Sequence, residues 1–466
     1  MSHRLLIFAV VLLTSCRALV GPDHSAPQVS LPAHWNNTDI SQGEGISRTW
    51  WIAFGDAELN RLETLALSAS PDIARAMARV DEARASLRGV KTARFPILTG
   101  SSSATRSQQS VNVQQSDSSQ ESYTSQPQEV TTYNLQTDLN FELDLWGKIR
   151  RNIEASKAST DSIILNGQAV RLRLTAQVAE NYFNLRGLED ECNILQDTVQ
   201  LRQANVSLTT ERQQGGLTSE VDVSRAQTEL ATTKAEWTDL RRRRQISLHA
   251  LAALCGQPAT GFAIKTRKHR IPSFAPQTPA VLLRERPDIA EAERTVAARS
   301  AEIGVAQANR LPSITLKGSA GLESLSLSDL VGTSSKKFSF GPQIDLPIFN
   351  AGALKAKSAQ AKARHTQAVA DYRSTVLTAL KEAEDALTNI KGYAFLTSDY
   401  AAAVAAAAQA AKLSKERYEQ GSANYLEVTD AQREVLTNQR RLAQSRSLQA
   451  QAAVQLAKAF GGGGLE

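Results

Sequence analysis

A chain of 466 residues could bury several ordinary cores, but with only 5 % aromatic residues and abundant Ala, Gln, Ser and Leu it suits long helices better than a compact enzyme. The net charge of +6 is moderate for this length, argues only weakly for an anionic partner, and is explained as well by a solvated surface. Proline is absent between Pro127 and Pro258 and again after Pro347, so both stretches are free to run as long helices.

In chain order, residues 1–15 read as a secretory signal. His3 and Arg4 precede the apolar run Leu5 to Leu13, which is too short to span a bilayer. Leu13-Thr14-Ser15-Cys16 resembles a bacterial lipobox, which makes Cys16 the expected lipidation site. The alternative is an ordinary signal peptide with an incidental cysteine. Arg17, where Asp would retain a lipoprotein elsewhere, resembles the pattern of proteins sorted to the outer membrane; one such anchor acts as a tether. A secreted chain meets no nucleic acid, so the basic run Arg241 to Arg244 reads as a solvated or partner-facing stripe.

The mature chain states one plan twice. Pro71-Asp72-Ile73-Ala74 through Pro96 returns as Pro287-Asp288-Ile289-Ala290 through Pro312, displaced by 216 (287 − 71). Glu211-Arg212, Gly216, Ala226-Gln227 and Glu229 return as Glu416-Arg417, Gly421, Ala431-Gln432 and Glu434, displaced by 205 (421 − 216). The expected division is therefore a lipidated N-terminal segment and equatorial region at 16–60, a first repeat at 61–256, a linker at 257–280 and a second repeat at 281–466. Within 16–60 the chain looks irregular, until the Trp50 to Asp56 cluster opens a helix.

Each repeat starts with a helix, 72–95 in the first copy, stopped by Pro96. The period then changes. From Tyr133 to Leu145 the odd positions Tyr133, Leu135, Leu139, Phe141, Leu143 and Leu145 are apolar, and the even ones from Asn134 to Asp144 are polar. Similar alternation covers Ile314 to Leu322 and Phe338 to Leu346, while a fourth strand near Leu98 to Arg106 follows from symmetry alone. Polar loops at 107–132 and 323–337 close two hairpins. Such strands build either a sandwich with one wet face or a membrane barrel, apolar to lipid and polar to a lumen. Four strands cannot close a barrel. Two chains would make one too narrow for a water channel, so three chains with twelve strands are expected.

Helices at 148–213 and 352–419 follow, the first roughly 100 Å long at ~1.5 Å per residue. Each breaks at glycine, Gly215-Gly216 or Gly421, and returns as a shorter helix, 219–254 or 424–460. Val178, Leu185, Cys192, Val199 and Val206 lie seven apart, with Leu188 and Leu195 between, as in a coiled-coil seam; Val428, Val435, Leu442 and Leu456 mark the second. The 219–254 helix is too short to match its partner, so it is expected to stack end to end with 72–95. Cys192 then reads as a core thiol, and Cys255, opposite Phe460 of the other copy, as a packing position. Gly461 to Gly464 reads as a flexible tail rather than a phosphate loop. The histidines form no metal or triad pattern, and no cofactor, metal or catalytic constellation is expected.

These features together resemble the TolC-type outer membrane factor family, in its OprM/NodT-like lipoprotein branch paired with RND efflux pumps. The residues that carry the resemblance are Val20-Gly21-Pro22-Asp23, Trp50, Phe54-Gly55-Asp56, the two Pro-Asp-Ile segments, Leu143-Asp144-Leu145-Trp146-Gly147 and Leu346-Pro347-Ile348-Phe349. Gly421, Tyr425-Leu426 and Asp430-Ala431-Gln432-Arg433 complete the set. His24 departs from the branch, which usually has Tyr there. The resemblance implies a mainly α fold with a small β part: a homotrimeric tube whose twelve-stranded β-barrel in the outer membrane continues as a periplasmic helical tunnel. It implies a passive exit duct, not an enzyme, working with an inner-membrane RND-type pump and a periplasmic adaptor at the Gly215, Gly216 and Gly421 tips. Leu426, Asp430 and Arg433 match the family's periplasmic gate, and their spacing places them on one helix face. A solvated helix face is the bland alternative. The rival functions are the outer channel of a type I protein secretion system, and a coiled-coil scaffolding lipoprotein without a pore.

Overall fold

The computed structural model describes residues 19–36, 46–108, 129–265, 270–275 and 278–463; Cys16 and the 1–15 signal lie outside them. The described chain orders as a 3-10 turn Trp50–Phe54, α1 Ala57–Ala69, α2 Pro71–Lys91, β1 Ile97–Gln108, β2 Glu129–Leu143, α3 Lys148–Gln214 and α4 Glu220–Leu254. The second half follows as α5 Pro279–Glu285, α6 Pro287–Ala308, β3 Ser313–Ser324, β4 Lys336–Asp345, α7 Ala353–Glu419 and α8 Tyr425–Ala459. Corresponding helices match in length, with 67 residues in α3 and α7 and 35 in α4 and α8. The duplication in sequence is a duplication of structure. Two compact units result, one holding residues 82–160 and 294–369, the other 27–81, 161–293 and 370–466.

The first unit carries a four-stranded antiparallel sheet in the order β1-β2-β3-β4. Its register puts Leu139 between Leu98 and Gly318, Phe141 beside Leu316, and Leu143 beside Ile314, which faces Ile344. One side of the sheet therefore gathers the apolar residues of β2, β3 and β4 with Leu98 of β1, and gives way to Ser102 and Lys336 in the row of Leu135 and Leu322. The other carries Gln136, Asp138, Lys317 and Ser319. The apolar side is open in the single chain: Leu98, Leu135, Phe338, Phe340 and Ile344 are all exposed. β1 and β4 are the edges of this sheet, and their backbones face outward unpaired within it.

β2 ends at Leu143 rather than Leu145, because Asp144 turns away to cap α3. Its carboxylate accepts from the Ile149 and Arg150 backbone N–H groups, both at 2.9 Å, satisfying donors a helix start leaves open. β4 stops one residue short of the expected Leu346, which precedes Pro347 and is thereby steered out of the ladder. The Val20 to Asp23 motif is explained by a clamp. Arg151, 2 % exposed, donates to Val20 O, Gly21 O and Asp23 Oδ1. Gly21, at φ +98°, lies so close to α6 that an added Cβ would sit 2.4 Å from Gly304 Cα.

In the second unit the core gathers Trp50, Phe54, Leu59, Leu62, Tyr182, Phe183 and Phe274, with the Phe54 and Phe183 rings 4.8 Å apart. Asp56 caps α1 by accepting from Glu58 and Leu59 N–H, and its other oxygen accepts the Tyr182 hydroxyl at 2.6 Å. Cys255 and Phe460 are equivalent C-caps of α4 and α8. Each is followed by a left-handed glycine pressed on a carbonyl: Gly256 on Ala69 O and Gly461 on Glu285 O. The end of α4 thus abuts the start of α2, where end-to-end stacking was expected.

Two expectations are corrected here. Gly461, Gly462 and Gly463 are not a flexible tail: all have positive φ, and they pack against Glu285, Leu172 and the Ser47-Arg48 backbone. A Cβ added to Gly461 or Gly463 would meet backbone atoms at 2.7 and 2.3 Å, where no side chain fits, and one added to Gly462 would displace the Leu172 side chain, whose tip lies 2.4 Å away. The heptad seam of α3 also changes character. Val178, Leu185, Leu188, Cys192 and Leu195 are buried as predicted, but toward the Gly turn Val199 and Val206 are only half-buried, and Arg202, Asn205 and Thr209 take the buried positions.

Candidate functional site

The α3–α4 and α7–α8 turns share one construction. Gly216 and Gly421 take left-handed φ of 70° and 76°. Leu217 N–H donates to Arg212 O and Gly216 N–H to Gln213 O; Ser422 to Arg417 O and Gly421 to Tyr418 O do the same. This paired bonding needs a residue without Cβ strain at the left-handed position. Gly215 does not occupy it, and a Cβ there would find only ordinary contact at 3.5 Å. Of the three glycines expected to form the tips, two are required by backbone geometry.

The turns are held together by an apolar cluster of Ala226, Tyr418, Tyr425 and Val428, with Val206 and Leu208 packed on it. Asn424 caps α8 through the Glu427 N–H, and Arg417 reaches across its turn to Glu427 at 2.7 Å. Leu217 and Val221 stand exposed on the first turn. On the second, Leu426 stands exposed.

Leu426, Asp430 and Arg433 lie on α8 as their spacing predicts, and the side chains of the last two are 57 % and 55 % exposed. Arg433 donates to Asp430 Oδ1 at 3.2 Å and to Glu229 Oε1 on α4 at 2.6 Å. Bonding to Glu229 holds the Arg433 guanidinium above its ordinary basicity. Behind this pair lies a buried polar node absent from the sequence reading. Arg202, 1 % exposed, donates to Gln432 Oε1 at 2.9 Å, and Asn205 shares that acceptor at 2.8 Å. Arg202 also faces Glu229 Oε2 at 3.5 Å. Burial depresses its basicity, and the Glu229 charge opposes that shift. The signal available in sequence was the repeat itself, since Arg202 and Asn205 correspond to Ala407 and Ala410 (displacement 205).

Among the described residues no group of three His, Cys, Asp or Glu side chains converges as a metal site, and no helix is long and apolar enough to cross a membrane. The membrane-compatible feature is the sheet.

The family model for Outer membrane efflux protein matches residues 62–257 and 278–462. Nodulation protein T of Rhizobium leguminosarum bv. trifolii is 30 % identical over 447 residues, covering 94 % of this chain and 92 % of that protein. Toluene efflux pump outer membrane protein TtgI of Pseudomonas putida is 31 % identical over 473 residues, covering 98 % and 97 %. The solved structure of the outer-membrane channel OprN matches with a TM-score of 0.88 at 30 % identity, covering 96 % of this chain and 99 % of that one. The chain belongs to the outer membrane efflux protein family. It is accordingly an outer membrane protein that extends into the periplasm, with the fold class of the trimeric barrel-and-tunnel channels. A scaffold without a pore does not account for the sheet or for this membership.

Proposed function

We propose that this chain is the outer membrane channel component of a tripartite efflux system, a passive exit duct for drugs or other small molecules. The observation that carries the reading is the sheet, with an exposed apolar face, a polar face and two open edges. Eight strands make the smallest membrane barrels, so one chain falls short and a homotrimer supplies twelve. Likeness to a toluene efflux pump component supports small-molecule cargo over a type I secretion substrate. Energy enters through an inner-membrane RND-type pump and a periplasmic adaptor, which dock at the turns of Gly216 and Gly421, and the chain itself performs no catalysis.

Cys16 carries the lipid that tethers the mature chain to outer membrane lipids, and the repeats at 61–256 and 281–466 each supply one hairpin and one set of tunnel helices. Leu426, Asp430 and Arg433 form the periplasmic gate. Three-fold symmetry would gather three Asp430 carboxylates round the axis, a ring that favours cations. The test is the mass of the detergent-extracted protein and its conductance in planar bilayers. A trimer is expected, with wild type conducting less than Asp430→Ala. A monomer without conductance removes the duct; a conducting trimer indifferent to Asp430→Ala and Arg433→Ala removes the gate alone.

A further inference from the structure

We infer that Arg202 is a positioning residue of the gate, holding Glu229 from inside the helix bundle so that Glu229 can hold Arg433. The inference rests on the gate reading of Arg433. The two arginines use different oxygens of one carboxylate: Arg433 takes Glu229 Oε1 and Arg202 faces Oε2. They do not compete; each fixes the orientation that serves the other. Arg202 is itself fixed on α8 by Gln432, whose Oε1 also accepts from Asn205. Gln432 and Arg433 are adjacent, so α3 and α4 grip α8 on both sides of one peptide bond.

The duplication supplies a control within the chain. In the second copy the positions of Arg202 and Asn205 are Ala407 and Ala410, and Glu434, equivalent to Glu229, accepts from Asn438 of its own helix instead. Gate residues are likewise one-sided, since Asp430 and Arg433 correspond to Arg225 and Thr228 (displacement 205). A fully buried arginine with its Nε unpartnered is costly to keep, and alanine serves the other copy at the same place. The extra charge occurs only beneath the copy that faces Arg433. Fold maintenance alone gives no reason for that coincidence; orientation of Glu229 does.

The experiment is bilayer conductance of the intact lipidated trimer in Arg202→Met, Arg202→Lys, Arg433→Ala and the Arg202→Met/Arg433→Ala double variant. Arg202→Met should raise the open fraction about fivefold, the scale expected for loss of one coupled contact. Arg202→Lys should recover part of that change, and the double variant should be no more open than Arg433→Ala. Wild-type conductance in Arg202→Met, or additive effects in the double variant, overturns the inference while Arg433→Ala still opens the channel. If Arg433→Ala has no effect, the gate reading itself fails. Should Arg202→Met not assemble, Gln432→Leu cuts the same anchor at its α8 end and is read by the same criteria.

Discussion

Asp56→Ala tests whether the Trp50 to Asp56 motif is there for structure. The carboxylate is fully buried, caps α1 through two N–H groups and accepts the Tyr182 hydroxyl at 2.6 Å. Losing an N-cap costs about 1 kcal/mol, and leaving the buried phenol without an acceptor costs about 1–3 kcal/mol more. The expected loss is therefore about 2–4 kcal/mol. Tyr182→Phe leaves the cap in place but takes one donor from a buried carboxylate, a loss of about 1.5–3 kcal/mol for a hydrogen bond to a charged group. Because one bond is shared, the double variant should fall short of the sum by roughly that bond's value. Guanidinium unfolding in detergent, compared at equal slope, gives the differences. An Asp56→Ala midpoint within about 0.5 kcal/mol of wild type, or strict additivity, would refute the argument.

Three further outcomes follow from the same geometry. Glu63 is fully buried with neither carboxylate oxygen bonded, and burial raises its pKa well above 4.5, so the folded chain holds a proton that the unfolded chain releases. Stability should fall as pH rises from about 4.5 through that raised value, and Glu63→Met should flatten this slope and raise the melting temperature most at the alkaline end. Gly216→Ala should cost about 1–2 kcal/mol by forcing a side chain into left-handed backbone, whereas Gly215→Ala should be neutral or slightly stabilising; equal effects in a thermal melt would contradict the turn assignment. Gly461→Ala sets a Cβ 2.7 Å from Glu285 O, and trimer yield from membranes should drop sharply; unchanged yield and melting would mean that the C-terminal glycines do not pack as described.

The polar cluster around Arg433 was partly legible. Asp430 and Arg433 stand three apart on a helix, and any reader of helical spacing places them together. Glu229 could not be assigned to them, because it lies 204 residues from Arg433 in sequence and only packing of α4 on α8 brings the two together. Heptad spacing located the apolar part of the α3 seam correctly but extended it too far. A seven-residue rule assumes one facing helix, whereas Arg202 answers to Gln432 on α8 and Glu229 on α4 at once, and Asn205 joins it on Gln432. The glycines after Ala459 looked like a loose tail because flexibility and left-handed packing have the same composition.

Local physics settled the elements in the sequence itself. Period-two alternation located β2 and its lipid-compatible face, glycine marked the ends of α3 and α7, and the 216 and 205 displacements showed that the plan is built twice. Pro96 marked the end of the first-repeat helix only approximately, because α2 stops at Lys91 and a 3-10 turn over Thr92–Arg94 leads to the proline. Tertiary structure alone decided which buried positions are polar and which backbone stretches touch. Those depend on distances between segments remote in sequence, where the energy of one buried arginine or one carbonyl pressed on a glycine outweighs any local preference.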